Sequence, residues 1–164
     1  MNSIFHRISV RKFTEQTVES EKIEMILKAA MQAPSAGNQQ PWEFYVIRNK
    51  KVIEALSQCS PYAKCAANAP VVIATAYRKE CRIPAYADID MSIAMENMWL
   101  ETDALGLGGV WLGIAPIEER MKKVEEIIQM PDHLRAFGLF PLGYPAEERP
   151  QQDRFEPERI HEIN

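Results

Sequence analysis

APVVIATAY, residues 69–77, is the stretch of this sequence that decides the fold. Almost every residue in it is apolar, and polar residues do not alternate with apolar ones. The run is only nine residues long. A short run of this kind predicts a strand that is buried on both faces and therefore lies in the centre of a sheet.

Helices and strands alternate singly on both sides of this strand. Towards the N-terminus the patterns predict a helix from about Val18 to Gln32 with Thr17 as its cap, a strand at EFYVIR (43–48), and a helix from Lys50 to about Gln58. Towards the C-terminus they predict a helix from Tyr86 to Leu105, a strand at GVWLGI (109–114), a helix opened by Pro116, and a strand at FGLFPLGY (137–144). This alternation is typical of a layered α/β or α+β sheet, although periodicity alone does not order the strands.

The inner faces of these helices can also be read from the spacing of their apolar residues. The first helix places Ile23, Ile26, Leu27, Ala30 and Met31 on one stripe, and the helix after Pro116 does the same with Ile117, Met121, Val124, Ile127 and Ile128. The helix 86–105 instead has apolar residues around most of its circumference. Such a helix has neighbours on several sides, and this predicts a dimer.

Length, composition and charge predict one globular domain covering residues 1–164. The chain has 164 residues, of which 46% are hydrophobic and 26% charged, as in ordinary globular proteins. Its formal net charge of −4 argues against non-specific binding to nucleic acid or to an anionic membrane. No apolar run approaches the roughly 20 residues that span a bilayer, and no secretory pattern follows the first residues, so a cytoplasmic location is expected.

Several common catalytic arrangements are not supported by the sequence. The histidines at 6, 133 and 161 stand in separate segments without metal-binding spacing, and are expected at the surface. The cysteines at 59, 65 and 81 have no C-x-x-C spacing, and are expected as reduced thiols. GLGGVWLG (106–113) has Trp111 where a dinucleotide-binding motif needs glycine, and it follows a helix instead of a strand.

Three other segments carry groups suited to ligand binding. Arg7, Ser9 and Arg11 are spaced two apart, so an extended backbone would point them the same way, as phosphate binding requires; a solvated surface is the alternative. APSAGNQQPWEF (33–44) holds hydroxyl and amide groups that could read a heterocycle, or could simply form turns. The glycines of 106–109 fit a helix end or a close backbone approach to a flat ligand.

Four blocks of the sequence resemble the FMN-dependent nitroreductase-like family. They occur in the family's order from near the first residue to Phe155: RISVRKF (7–13), APSAGNQQPWEF (33–44), NMWLETDALGLGGVWLG (97–113) and PLGYPAEERPQQDRF (141–155). The chain resembles a small member of the family, because the segments 57–68 and 78–88 leave little room for a long lid.

The resemblance implies a fold and an assembly. The expected fold is α+β, a three-layer α/β/α sandwich of nitroreductase type around a central mixed or antiparallel sheet. Two subunits are expected to interlock as a homodimer with one FMN in each of two interface pockets. The segment 150–164 is expected as an extended tail that packs on the partner subunit.

The resemblance also assigns the residues that bind the cofactor. Arg7, Ser9 and Arg11 are expected to hold the phosphate and the polar edge of the flavin, with Arg11 favouring the anionic reduced form. Arg154 is expected as a further phosphate ligand, and Arg159 is the alternative. Residues expected to reach the flavin across the interface are Pro34, Ser35, Ala36, Asn38 and Gln40, and those expected near its hydride-accepting edge are Gly108 and Gly109.

The implied activity is electron transfer from NAD(P)H through FMN to a nitroaromatic, quinone or similar acceptor, by a ping-pong mechanism. No catalytic side chain and no metal are required, since the cofactor carries the reaction. The physiological acceptor and the preference between NADH and NADPH stay open. So do reductive dehalogenation or flavin breakdown on the same fold, and a flavin-binding dimer without turnover.

Overall fold

The computed structural model describes residues 2–147 and 150–163, so the ends of the predicted domain and two residues of the block 141–155 lie outside the described part. Its helices are α1 (Ser3–His6), α2 (Ser20–Met31), α3 (Lys50–Leu56), α4 (Ala87–Ala104) and α5 (Glu118–Ile127). Its strands are β1 (Trp42–Ile47), β2 (Val71–Arg78), β3 (Gly108–Gly109), β4 (Leu112–Gly113) and β5 (Leu134–Gly143).

The strand predicted from residues 69–77 is central, as expected. β2 pairs antiparallel with β1 on one side and with β5 on the other, and β3 and β4 both pair antiparallel with β5. Val72, Ala74 and Ala76 point into a core shared with α3 and α5, whereas Val71 and Ile73 point into a core shared with α2 and α4. The predicted three-layer α+β sandwich is therefore confirmed, with an antiparallel sheet.

The predicted strand 109–114 is interrupted, and proline is the reason. β3 and β4 keep one register along β5, with Gly109 opposite Leu142 and Leu112 opposite Leu139, so Val110 falls opposite Pro141. Val110 donates its N–H to the Pro141 carbonyl at 3.2 Å. Proline has no N–H to return the bond, and the ladder breaks there into two short strands.

Other sequence predictions need smaller corrections. α2 begins at Ser20 after Glu19, so Thr17 does not cap it, and β5 begins three residues before the predicted Phe137. Met31 and Ile117 were predicted on inner helix faces but are about half exposed, because each lies at a helix end, where the stripe leaves the core. α1 was not predicted at all.

Candidate functional site

The amide-rich loop 33–40 is fixed to the first turn of α4 by one buried carboxylate. Asp90 is only 2% exposed, and it accepts hydrogen bonds from the Ala36 N–H at 2.9 Å and from the Gln39 side-chain amide at 2.6 Å. The side-chain oxygen of Gln39, Oε1, in turn accepts a hydrogen bond from the Ile83 N–H at 2.7 Å. Gln39 is therefore committed to holding the loop in place, and its amide is not available to a ligand.

The remaining polar side chains of the loop stay at the surface. Asn38 and Gln40 are exposed and joined to each other, with the Gln40 amide donating to the Asn38 oxygen at 3.1 Å, while the Ser35 hydroxyl accepts from the Gln40 N–H at 3.0 Å. Gly37, Asn38 and Gln40 all have positive φ, between 46° and 56°. Such a backbone is rare for residues other than glycine, and Asn is one of the residues that tolerate it best.

The N-terminal segment lies extended beside β3. Ser9 forms a parallel bridge with Gly109, and the Val10 N–H donates to the Gly109 carbonyl at 3.0 Å. Ile8 and Val10, which an extended backbone points the same way, line a cleft of about 660 Å³ together with His6 at the end of α1. His6 is exposed, as expected, and its Nδ1 lies 2.8 Å from an Asp103 carboxylate oxygen.

The two N-terminal arginines have different surroundings in a single chain. The Arg7 guanidinium stacks over Trp99 of α4 at 4.0 Å from the ring centroid, and its Nε lies 3.6 Å from a Glu96 carboxylate oxygen. Arg11 is exposed and borders a separate cleft. Arg7 is thus held in place by an aromatic ring, whereas the Arg11 guanidinium is open to solvent.

Gly108 and Gly109 are buried by the chain's own side chains. A Cβ on Gly108 would lie 2.6 Å from a Val10 methyl carbon, and a Cβ on Gly109 would lie 2.5 Å from the Phe140 ring. Packing inside one subunit therefore explains both glycines without a ligand. Gly113, by contrast, is exposed, and a Cβ there would meet nothing within 4 Å.

The cleft beside Arg11 combines positive charge, aromatic rings and exposed backbone. It measures about 320 Å³, and among the described residues its lining has no carboxylate and consists of Arg11, Tyr62, Val110, Trp111, Leu112, Gly113 and Arg120. Burial raises the pKa of the nearby Cys65 thiol, and the Arg11 charge only partly offsets this. Cys65 is therefore poorly suited to act as a thiolate nucleophile.

Within one chain the N-terminal segment meets the glycine turn, through the bridge between Ser9 and Gly109, but neither is anchored near the loop 33–40. The loop 33–40 is hydrogen-bonded to Asp90 in the first turn of α4. In contrast, His6 of α1 contacts Asp103 in the last turn of α4. At about 1.5 Å rise per residue these two points on α4 lie about 20 Å apart. In one subunit, the loop and the N-terminal segment are therefore anchored to opposite ends of this helix.

The described part of the tail is not buried against its own subunit. Every described residue from 150 to 163 is exposed, including Phe155 at 71% and Ile160 at 58%. Arg154 is exposed, and Arg159 pairs with Glu156 at 2.5 Å. Of the two arginines considered as tail ligands, Arg159 is therefore the one already engaged by a carboxylate.

Three residues of this region escaped the sequence analysis. The sequence patterns singled out neither Asp90 nor Arg120, and Trp99 counted only among the apolar residues of the helix 86–105. A carboxylate in the first turn of an apolar helix was the available signal for Asp90. In the described part of the chain no helix is long and apolar enough to cross a membrane, and no group of three potential metal ligands comes together.

An antiparallel sheet between two helical layers defines the class as an α+β sandwich, and this one carries an arginine-lined cleft at β4. The family model described as Nitroreductase family matches residues 4–60 and 57–144. The chain belongs to the nitroreductase family.

Relatives and solved structures agree with this assignment. A Methanothermobacter thermautotrophicus protein provisionally named NADH dehydrogenase/NAD(P)H nitroreductase is 39% identical over 98% of this chain and 85% of its own length. A Clostridium acetobutylicum structure, provisionally an NADH oxidase, superposes with a TM-score of 0.94 at 44% identity over 97% of both chains. A Desulfovibrio desulfuricans structure, provisionally a nitroreductase in complex with FMN, has a TM-score of 0.85 at 28% identity, covering 99% of this chain and 95% of its own.

Proposed function

We propose that this protein is an FMN-dependent oxidoreductase that passes hydride from NAD(P)H to a nitroaromatic, quinone or similar acceptor by a ping-pong mechanism. The observation that carries the proposal is the cleft beside Arg11, where two guanidiniums, two aromatic rings and the exposed backbone of β4 surround one opening. This donor set fits the polar edge and the flat ring of a flavin. The NAD(P)H-linked and FMN-linked names of the relatives support the same conclusion.

The bound FMN would supply the redox chemistry, and the residues of this chain would bind and orient it. Arg11 would face the pyrimidine end of the ring, where a positive charge favours the anionic reduced form. Arg7 and Ser9, with Arg154 of the tail, would contact the phosphate. The backbone from Gly108 and Gly109 to Gly113 would border the ring.

The loop 33–40 would complete the site from a second subunit. Its residues Pro34, Ser35, Ala36, Asn38 and Gln40 are anchored about 20 Å from the N-terminal segment of their own chain, at opposite ends of α4. We therefore propose a homodimer in which each loop reaches the other subunit's cofactor. The exposed apolar residues of α1, α4 and the tail support this assembly, namely Ile4, Phe5, Ile89, Phe155 and Ile160.

The overall reaction balances without any acid or base from the protein. Reduction of a nitro group to nitroso by one NAD(P)H consumes one proton and releases NAD(P)⁺ and one water. No described histidine or cysteine lines the cleft beside Arg11, and the proton can come from solvent. The side chains therefore need only to bind, to orient and to tune charge.

Purified protein tests this function directly. We expect a yellow preparation with the absorbance of oxidised flavin, bleached by NADH or NADPH in the absence of oxygen and restored by a nitro compound or a quinone. A preparation that stays colourless after incubation with FMN and desalting would refute the proposal. A yellow protein that neither nucleotide bleaches would be a flavin carrier, not a reductase.

The two arginine contacts to the cofactor have their own test. Replacing Arg7 and Arg11 together by Ala removes two charge-assisted contacts worth about 1.5–3 kcal/mol each, so FMN affinity should fall at least 100-fold. The matched control replaces Arg48 and Lys50 by Ala, which removes the same charge from exposed positions of another cleft. Stoichiometric FMN in the first variant after desalting would contradict the assignment.

A further inference from the structure

We propose that Arg120 makes this protein selective for aromatic electron acceptors that carry an anionic group, such as a carboxylate or a sulfonate. This inference rests on the proposed function, because it concerns the acceptor that would enter the same cleft. The physical basis is that the described lining of the cleft holds two guanidiniums, two aromatic rings and no carboxylate.

Arg120 is held at the cleft by the backbone and by an aromatic ring. Its Nη1 donates to the Gly113 carbonyl at 3.2 Å, and its guanidinium carbon lies 5.7 Å from the centre of the Tyr62 ring. Arg120 lies in the first turn of α5, a position that reaches back over β4. One hydrogen bond uses one of its five N–H donors, which leaves the others free for a ligand.

Neither guanidinium of the cleft is neutralised by a carboxylate in the described part of the chain. Within residues 2–147 and 150–163, no carboxylate lies within 4.0 Å of Arg11 or Arg120. Arg135 of β5 is by contrast paired with both Glu118 and Glu125 of α5. An uncompensated pair of positive charges in a concave site favours an anionic ligand.

The aromatic side chains define the rest of that ligand. Tyr62 is 75% exposed and Trp111 is half-buried, and both border the opening with Arg120. Exposed aromatic rings stack on flat ligands. The cleft volume of about 320 Å³ limits the combined size of the flavin ring and the acceptor that it can hold. Arg11 is assigned to the flavin, so Arg120 is the charge left for the acceptor.

Acceptors matched in shape and different in charge test the inference. We would measure kcat/KM of the FMN-loaded protein with 4-nitrobenzoate and with 4-nitrobenzamide, for wild type, Arg120→Gln, Arg120→Lys and the control Lys123→Gln. Lys123 lies one turn along α5 and pairs with Glu119 at 3.1 Å, so its replacement removes the same charge outside the cleft. Binding of each compound to the oxidised protein, followed by the flavin absorbance without NAD(P)H, gives a second readout independent of turnover.

Arg120→Gln should lower both the affinity and kcat/KM for 4-nitrobenzoate about tenfold, as expected when one charge-assisted contact is lost from a partly exposed site. The values for 4-nitrobenzamide should change less than twofold, and Arg120→Lys should recover part of the loss. Lys123→Gln should resemble wild type.

Two results would overturn the inference. The first is an equal change in kcat/KM for 4-nitrobenzoate and 4-nitrobenzamide in Arg120→Gln. The second is a variant in which only the bleaching of the flavin by NADH or NADPH is impaired, which would assign Arg120 to the nucleotide phosphates. Either result leaves the proposed function standing as long as wild type is bleached by a nucleotide and reduces the benzamide. Failure of wild type to bind FMN or to be bleached would instead refute the proposed function itself.

Discussion

Replacing Asp90 by Ala should detach the loop 33–40 from α4 and destabilise the whole protein. The carboxylate is 2% exposed and accepts from the Ala36 N–H and the Gln39 amide, so the substitution removes the acceptor of two half-buried hydrogen bonds. A hydrogen bond to a charged group is worth about 1.5–3 kcal/mol, so the unfolding free energy should fall by about 4 kcal/mol. For a chain of this size that corresponds to a drop of about 12 °C in Tm.

Asp90→Asn separates the two hydrogen bonds. Its oxygen can still accept from the Ala36 N–H, but its amide then faces the Gln39 amide. Gln39 cannot turn over to compensate, because its oxygen already accepts from the Ile83 N–H at 2.7 Å. The loss for Asn should therefore be about 2 kcal/mol, half of that for Ala.

Urea denaturation at a fixed protein concentration measures both losses, and Asp88→Asn is the control. Asp88 shares the first turn of α4 and loses the same charge near the helix N-terminus, but it is exposed. Its replacement should cost less than about 1 kcal/mol. If Asp90→Ala and Asp88→Asn lost the same amount, Asp90 would be acting only on the helix dipole, and its role as the anchor of the loop would be wrong.

The remaining predictions concern the glycine turn, a buried phenol and the tail. Gly108→Ala should lower the unfolding free energy, measured in urea, by about 1–3 kcal/mol because its Cβ would meet Val10 at 2.6 Å. The control Gly113→Ala should lower the unfolding free energy by less than about 1 kcal/mol. Equal losses would contradict the packing of Gly108 against Val10. Burial, helped by the Asp88 charge, raises the pKa of Tyr77 from 10.0 to about 12. The folded state therefore favours the neutral phenol of Tyr77. This contribution to the unfolding free energy is complete below pH 10 and is lost as the pH rises from 10 to about 12. Tyr77→Phe should flatten the pH dependence of the unfolding free energy over this range. Removing residues 150–163 should lower the dimer fraction in sedimentation and the FMN content together; a stable dimer with full FMN would exclude the tail from the interface.

The sequence predicted the central strand and the layers around it for a clear physical reason. A run such as residues 69–77 can only be satisfied by burial on both faces, and apolar stripes of 3.6 periodicity require helices on those faces. The break in the strand 109–114 could not be predicted from that segment, since its cause is Pro141 on the opposite strand. Local patterns contain no information about the partner that a residue will face.

The candidate site divides in the same way. The sequence by itself supplied the kinds of group present: guanidiniums at Arg7 and Arg11, amides in the loop 33–40, and glycines before β4. Only the tertiary structure decided their tasks, because it alone shows Gln39 bonded to the buried Asp90, Gly109 packed under Phe140, and Arg120 beside Arg11 in one cleft. The chemistry of a side chain is written in the sequence, but whether that side chain is used by the fold or left for a ligand depends on contacts between segments far apart in the chain.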